Sequence, residues 1–134
     1  MILVAGPPCG GKTTYVRNHA LPQDRVLDYD DIIEELGATR YTRDSQVMAQ
    51  AQRLWVERMP LTTWAILTAP TRAERGRFRA MHKASVVVVM APMDICLERA
   101  VSERPTPWQD AIRRWFALWQ PSSSGREMIV RTDA

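Results

Sequence analysis

The stretch Gly6-Pro7-Pro8-Cys9-Gly10-Gly11-Lys12-Thr13 constrains this chain more than any other. It follows the apolar run Met1 to Ala5 and opens into Lys12 to Ala20, a segment without helix breakers. This is the spelling G-x-x-x-x-G-K-[ST] in a strand–loop–helix context, the sequence of a phosphate-binding loop. Glycines let the backbone curl so that successive N–H groups converge on phosphate oxygens. The helix N-terminus adds its partial positive charge to the same place. The expected binding set is Gly6, Pro7, Pro8, Cys9, Gly10, Gly11, Lys12, Thr13 and Thr14. Within it Lys12 reaches the β- and γ-phosphates, and the Thr13 hydroxyl is placed for Mg²⁺. The ligand implied is a nucleoside triphosphate, ATP or another.

A chain of 134 residues has the length of one domain, so a single domain over residues 1–134 is expected. The net charge of +3 suits an anionic ligand without demanding nucleic acid. Cys9 and Cys96 are too few for a disulfide scaffold, and no apolar run approaches the ~20 residues of a membrane span. The N-terminal stretch reads as a strand entering the loop rather than a signal peptide. A cytoplasmic protein, without membrane or obligate protein partner, is the expectation.

Further along, Arg25–Asp28 reads as a second strand, Thr63–Thr68 as a third, Val86–Met90 as a fourth and Met128–Arg131 as a last. Helices are expected over Asp30–Leu36, from an Asp44 cap to Met59, over Pro70–Lys83, Pro92–Glu103 and Pro107–Trp119. Strands alternating with helices predict a three-layer α/β fold: about five parallel strands, helices on both faces and a short helical lid.

Three clusters bear chemistry. Asp28, Asp30 and Asp31 close the second strand, and the carboxyl ends of strands are where open α/β sheets bind ligands. Asp30 is the candidate to accept the proton of an attacking hydroxyl, with Asp28 as an outer Mg²⁺ partner or second choice. The plainer reading has these groups solvated and one of Asp30 or Asp31 capping the next helix. Arg99 and Arg104 are candidates to neutralise a phosphoryl group in transfer, as a lid. The run Arg72, Arg75, Arg77, Arg79, His82 and Lys83, with Arg40 and Arg43, is a candidate phosphate-tracking surface. Trp108, Trp115 and Trp119 fall on one helical stripe that reads as core, Trp64 lies in a strand and Trp55 on a helix stripe, and none is assigned to a ligand. Neither the third nor the fourth strand ends in the acid that a motor ATPase uses to hold Mg²⁺, which counts against a ring ATPase and favours a small kinase.

With these residues in view, the chain resembles the kinase domain of the phage-type polynucleotide 5′-kinases, and more distantly the zeta-toxin and gluconate-kinase families. Gly6 to Thr14 is similar to that family's phosphate loop. Asp28-Tyr29-Asp30-Asp31 is similar to its Asn/Asp-x-Asp-Asp segment, which places the general base on Asp30. Pro92 to Arg104 resembles its lid helix, whose arginines fall on Arg99 and Arg104. Two positions depart from the pattern: Ile33, where the family often has arginine, and Thr68-Ala69-Pro70, where it commonly has Asp-x-Asn. The resemblance implies Mg²⁺-dependent transfer of the ATP γ-phosphate to the 5′-OH of DNA or RNA, in a phage-infected cytoplasm. A kinase for a nucleoside or sugar, and a nucleotide-binding module without turnover, are the alternatives.

Overall fold

The computed structural model describes residues 1–40, 42–103, 107–123 and 125–132, with the side chains of 102, 103 and 107 left aside. Five strands form one parallel sheet in the order β2-β3-β1-β4-β5: β1 Ile2–Ala5, β2 Val26–Asp28, β3 Trp64–Leu67, β4 Ser85–Met90 and β5 Glu127–Arg131. Six helices accompany them: α1 Lys12–His19, α2 Tyr29–Glu35, α3 Ser45–Arg58, α4 Arg72–His82, α5 Met93–Glu103 and α6 Pro107–Leu118. The result is the three-layer α/β kinase fold that the sequence predicts.

The two faces of the sheet follow from side-chain alternation along a strand. Leu3, Ala65, Val86 and Val88 point to one side, where they pack with Leu27, Ile32, Ile33, Trp55, Phe78 and Trp115. Val4, Ile66, Val87 and Val89 point to the other and meet Val16 of α1. Because β1 is central and apolar on both faces, the loop leaving its carboxyl end is set at the middle of the molecule's ligand edge. A third cluster, Ala91, Cys96, Ala100, Trp108 and Ile112, joins α5 to α6, and the partly buried Cys9 packs against it.

Local chemistry sets the helix ends. Asp44 accepts hydrogen bonds from the N–H groups of Gln46 and Val47, as its cap position predicts. The helix expected from Pro70 begins instead at Arg72. There Thr71 caps the helix by accepting from the Glu74 N–H, and its hydroxyl donates to the Glu74 carboxylate. Of the acidic trio, Asp28 is the cap: its carboxylate accepts the Asp30 N–H at 3.0 Å, which leaves the Asp30 and Asp31 side chains free of that task.

One expectation is overturned here. Arg75 does not share an exposed face with Arg72 and Arg79; its side chain is fully buried. Its Nε donates to Glu127 Oε2 at 2.8 Å and its Nη1 to the Ala69 carbonyl at 3.0 Å. Nη2 donates to the Gln120 carbonyl, and the guanidinium lies 4.7 Å from the centroid of the Trp119 ring. Arg75 thus ties α4, the turn after β3, the end of α6 and β5 into one knot. A charge taken from water must be matched by such partners, so this arginine cannot also track phosphates on the surface.

Candidate active site

A cavity of about 450 Å³ opens at the carboxyl ends of the strands, lined by the whole of Pro7 to Thr14 together with Asp28, Asp30, Arg40, Thr68, Arg99, Trp108 and Thr132. The loop at its floor has little freedom. Gly6 has φ 158, and a Cβ there would lie 2.0 Å from the Val89 carbonyl oxygen, so only glycine lets β1 pass β4 into the turn. Cys9 takes a left-handed conformation, φ 61, which curls the crown of the loop back toward α1.

Lys12 Nζ folds back onto that loop and donates to the carbonyls of Gly6 and Pro7 at 2.7 and 3.0 Å. Burial lowers its pKa to about 8, against the opposing pull of Asp30 and Asp28. Those carboxylates line the same cavity as Lys12. Burial, reinforced by repulsion from Asp30 and Asp31, raises Asp28 to about 6. Asp30 is also raised by burial, but Arg40 and Lys12 pull it back. Of the two, Asp30 is the carboxylate whose upward shift is opposed by both Arg40 and Lys12.

The supporting cation is one that the sequence pattern places elsewhere. Arg40 donates through Nε to Glu34 at 2.6 Å, and its two terminal nitrogens lie 3.6 Å from Asp30 and 3.9 Å from Asp31. Its guanidinium stacks 5.0 Å from the ring centroid of Trp108. The position of the expected arginine, Ile33, is buried in the core. Trp108 packs as a core residue and also forms one wall of the cavity.

Arg99 lies at the cavity as expected, with part of its guanidinium engaged: Nη1 donates to the Cys9 carbonyl at 2.9 Å and Nη2 to the Thr132 carbonyl at 2.6 Å. Arg104 is outside the described residues. Thr13 and Thr14 are exposed to the cavity, while Asp31 does not line it. Among the described residues no group of three acidic, histidine or cysteine side chains could hold a metal alone. The Thr13 hydroxyl, with Asp28 in an outer shell, would offer oxygen donors of the kind Mg²⁺ takes when phosphate and water complete its shell. No helix among the described residues is long and apolar enough to cross a membrane.

The parallel sheet, the loop after β1 and the carboxylates after β2 define a P-loop nucleotide-binding protein of the kinase type. More particularly, the chain belongs to the AAA domain family AAA_33, whose model matches residues 1–114. Among solved structures it is similar to a gluconokinase from Sinorhizobium meliloti 1021, with TM-score 0.69 and 14% identity over 99% of this chain and 82% of that one. It is also similar to a shikimate kinase from Acinetobacter baumannii in complex with shikimate, with TM-score 0.62 and 20% identity over 99% and 83% of the two chains. A third likeness is to a chain of the Pnkp1/Rnl/Hen1 RNA repair complex, with TM-score 0.68 and 13% identity over 87% of this chain and 42% of that one. At such identities these likenesses bear on the fold. No protein of curated function matches the sequence.

Proposed function

We propose that this protein transfers the γ-phosphate of ATP to a hydroxyl, and that the hydroxyl is the 5′ end of DNA or RNA. The observation that carries the phosphoryl-transfer reading is that Lys12 and Asp30 line one cavity together with the whole phosphate loop. In the reaction the acceptor oxygen bonds to the γ-phosphorus, the bond to the β,γ-bridging oxygen breaks, and ADP leaves. The acceptor proton passes to the Asp30 carboxylate. Lys12 exchanges its two loop carbonyls for phosphate oxygens, and the amides of the loop and of the first turn of α1 hold the rest of the charge. Thr13 would hold Mg²⁺, which would supply further charge neutralisation to the phosphates. Arg99, with Arg104, is proposed to stand over the transferring group.

The nucleic-acid acceptor rests on the similarity of Asp28-Tyr29-Asp30-Asp31 to the polynucleotide-kinase segment, and the neighbour from an RNA repair complex supports it. A second reading, a small hydroxyl compound as acceptor, is favoured by the burial of Arg75, which removes the centre of the basic stripe on α4. Incubation with γ-labelled ATP and a panel of 5′-OH oligonucleotides, nucleosides, sugars and sugar acids tests both. Label on the oligonucleotides supports the proposal, and label confined to small molecules selects the second reading. Tight ATP binding with no transfer to any acceptor or water would leave a binding module.

A further inference from the structure

The crown of the phosphate loop is held by a residue far from it in sequence. Thr132, just past β5, donates its hydroxyl to the Gly10 carbonyl at 2.6 Å. The same hydroxyl accepts from Arg99 Nη1 at 3.3 Å, and Arg99 Nη1 also donates to the Cys9 carbonyl at 2.9 Å. The Thr132 N–H is fixed in turn by the Met90 carbonyl at 3.0 Å, so the residue is anchored to the end of β4. Gly11 completes the fit. At φ 101 it has no side chain, and a Cβ there would come within 3.1 to 3.3 Å of three Thr132 side-chain atoms. Thr132 fills the space that the second loop glycine leaves.

We propose that Thr132 is a positioning residue for the nucleotide-binding loop, acting with Arg99 to fix the orientation of the Cys9–Gly10 and Gly10–Gly11 peptides. Peptide planarity couples the two ends of each unit. In a trans peptide the carbonyl and the N–H point in opposite directions, and the chain has no cis bond among the described residues. Holding the Gly10 carbonyl on Thr132 therefore turns the Gly11 N–H the other way, toward the concave side where phosphate sits. Holding the Cys9 carbonyl on Arg99 likewise turns the Gly10 N–H inward, where it donates to the Pro7 carbonyl at 3.1 Å. The Gly10–Gly11 peptide could flip at little steric cost between two glycines, and a flip would turn its carbonyl to the side its N–H now faces. A loop braced in this way does not have to be ordered by binding. The C-terminal strand thereby enters the nucleotide site through its exit residue.

This inference rests on the nucleotide-binding reading, and the experiment separates the two. Equilibrium dissociation constants for ATP and ADP are measured with the whole chain as wild type, Thr132→Val and Thr132→Ser, alongside acceptor KM, kcat and Tm. Valine keeps the shape and removes the hydroxyl; serine keeps the hydroxyl. Loss of this hydrogen bond predicts about fivefold weaker ATP and ADP binding in Thr132→Val. Thr132→Ser should bind nucleotide within about twofold of wild type. If Thr132→Val does not fold, Thr132→Ala, which seats a smaller group, carries the same expectation. A valine or alanine variant that binds ATP like wild type overturns the brace while leaving the nucleotide site standing. Serine binding as poorly as valine also overturns it, because packing of the methyl group would then be the cause. A wild type that does not bind ATP overturns both readings.

Discussion

Arg40 and Asp30 meet at the mouth of the cavity, with Nη1 3.6 Å from Oδ2, and Trp108 backs the guanidinium at 5.0 Å. The pair joins the loop after α2 to the residue proposed as the base. Burial pushes the Asp30 carboxyl upward, and Arg40 is the larger of the two cationic influences that oppose it. Arg40→Gln should therefore raise the Asp30 pKa further. A base must be ionised, so activity present above that pKa is lost as pH falls through it, and the acid limb of the kcat profile should move to higher pH in the variant. Coincident acid limbs for wild type and Arg40→Gln would remove Arg40 from the site's chemistry.

Lys12 predicts the opposite limb. Its pKa of about 8 in the free protein means that the charge it offers to phosphate is present below that value and lost above it. Bound polyphosphate favours the ammonium, so kcat/KM for ATP should fall above about pH 8 while kcat holds to higher pH. Parallel profiles of the two parameters through pH 9 would contradict this.

Asp28 carries a cost to folding. Its carboxyl titrates near 6 in the folded chain against 3.8 ordinarily, so between about pH 4 and 6 the folded state retains a proton that the unfolded state has released. Stability falls as pH rises through that window, by up to about 3 kcal/mol for a shift of this size. Asp28→Asn keeps an oxygen to accept the Asp30 N–H and abolishes the charge. It should melt several degrees above wild type at pH 7.5 and near wild type at pH 4. Equal melting temperatures at pH 7.5 would show that Asp28 is not strained by burial.

The knot at Arg75 gives a stability test that also bears on the acceptor. Arg75→Ala strands Glu127, whose Oε1 is already buried without a partner among the described residues. Breaking a buried pair on one side costs about 3–5 kcal/mol, which should lower Tm by more than 10 °C. Loss of two degrees or less would return Arg75 to the surface. Any salt dependence of oligonucleotide KM should instead respond to Arg72→Ala with Arg77→Ala, since both side chains are exposed.

What could be read from the sequence was what acts locally. The loop from Gly6 to Thr13 announces itself because its chemistry lies in consecutive backbone amides. Asp44 and Pro60 bracket α3 because caps and breakers act within a turn. The basic run from Arg72 to Lys83 was legible as a run, but a run does not say which of its arginines turns to the core. Arg75 finds Glu127 across 52 positions. Thr132 finds Gly10 across 122, and a lone threonine after an apolar strand carries no pattern of its own. Arg40 was visible as a basic loop residue; only the folding of that loop over α2 brings it to Asp30. Both site features that escaped the sequence reading depend on tertiary closure.

The most direct test of the central claim is single-turnover transfer from γ-labelled ATP to a 5′-OH oligonucleotide, comparing wild type with Asp30→Asn at pH 7.5. Removal of a general base typically costs about 10²- to 10⁴-fold in rate, while the phosphate loop is untouched. The account predicts a labelled 5′ end with wild type, a loss of that order in Asp30→Asn, and ATP affinity within about twofold of wild type. Transfer by Asp30→Asn at a near wild-type rate would contradict it.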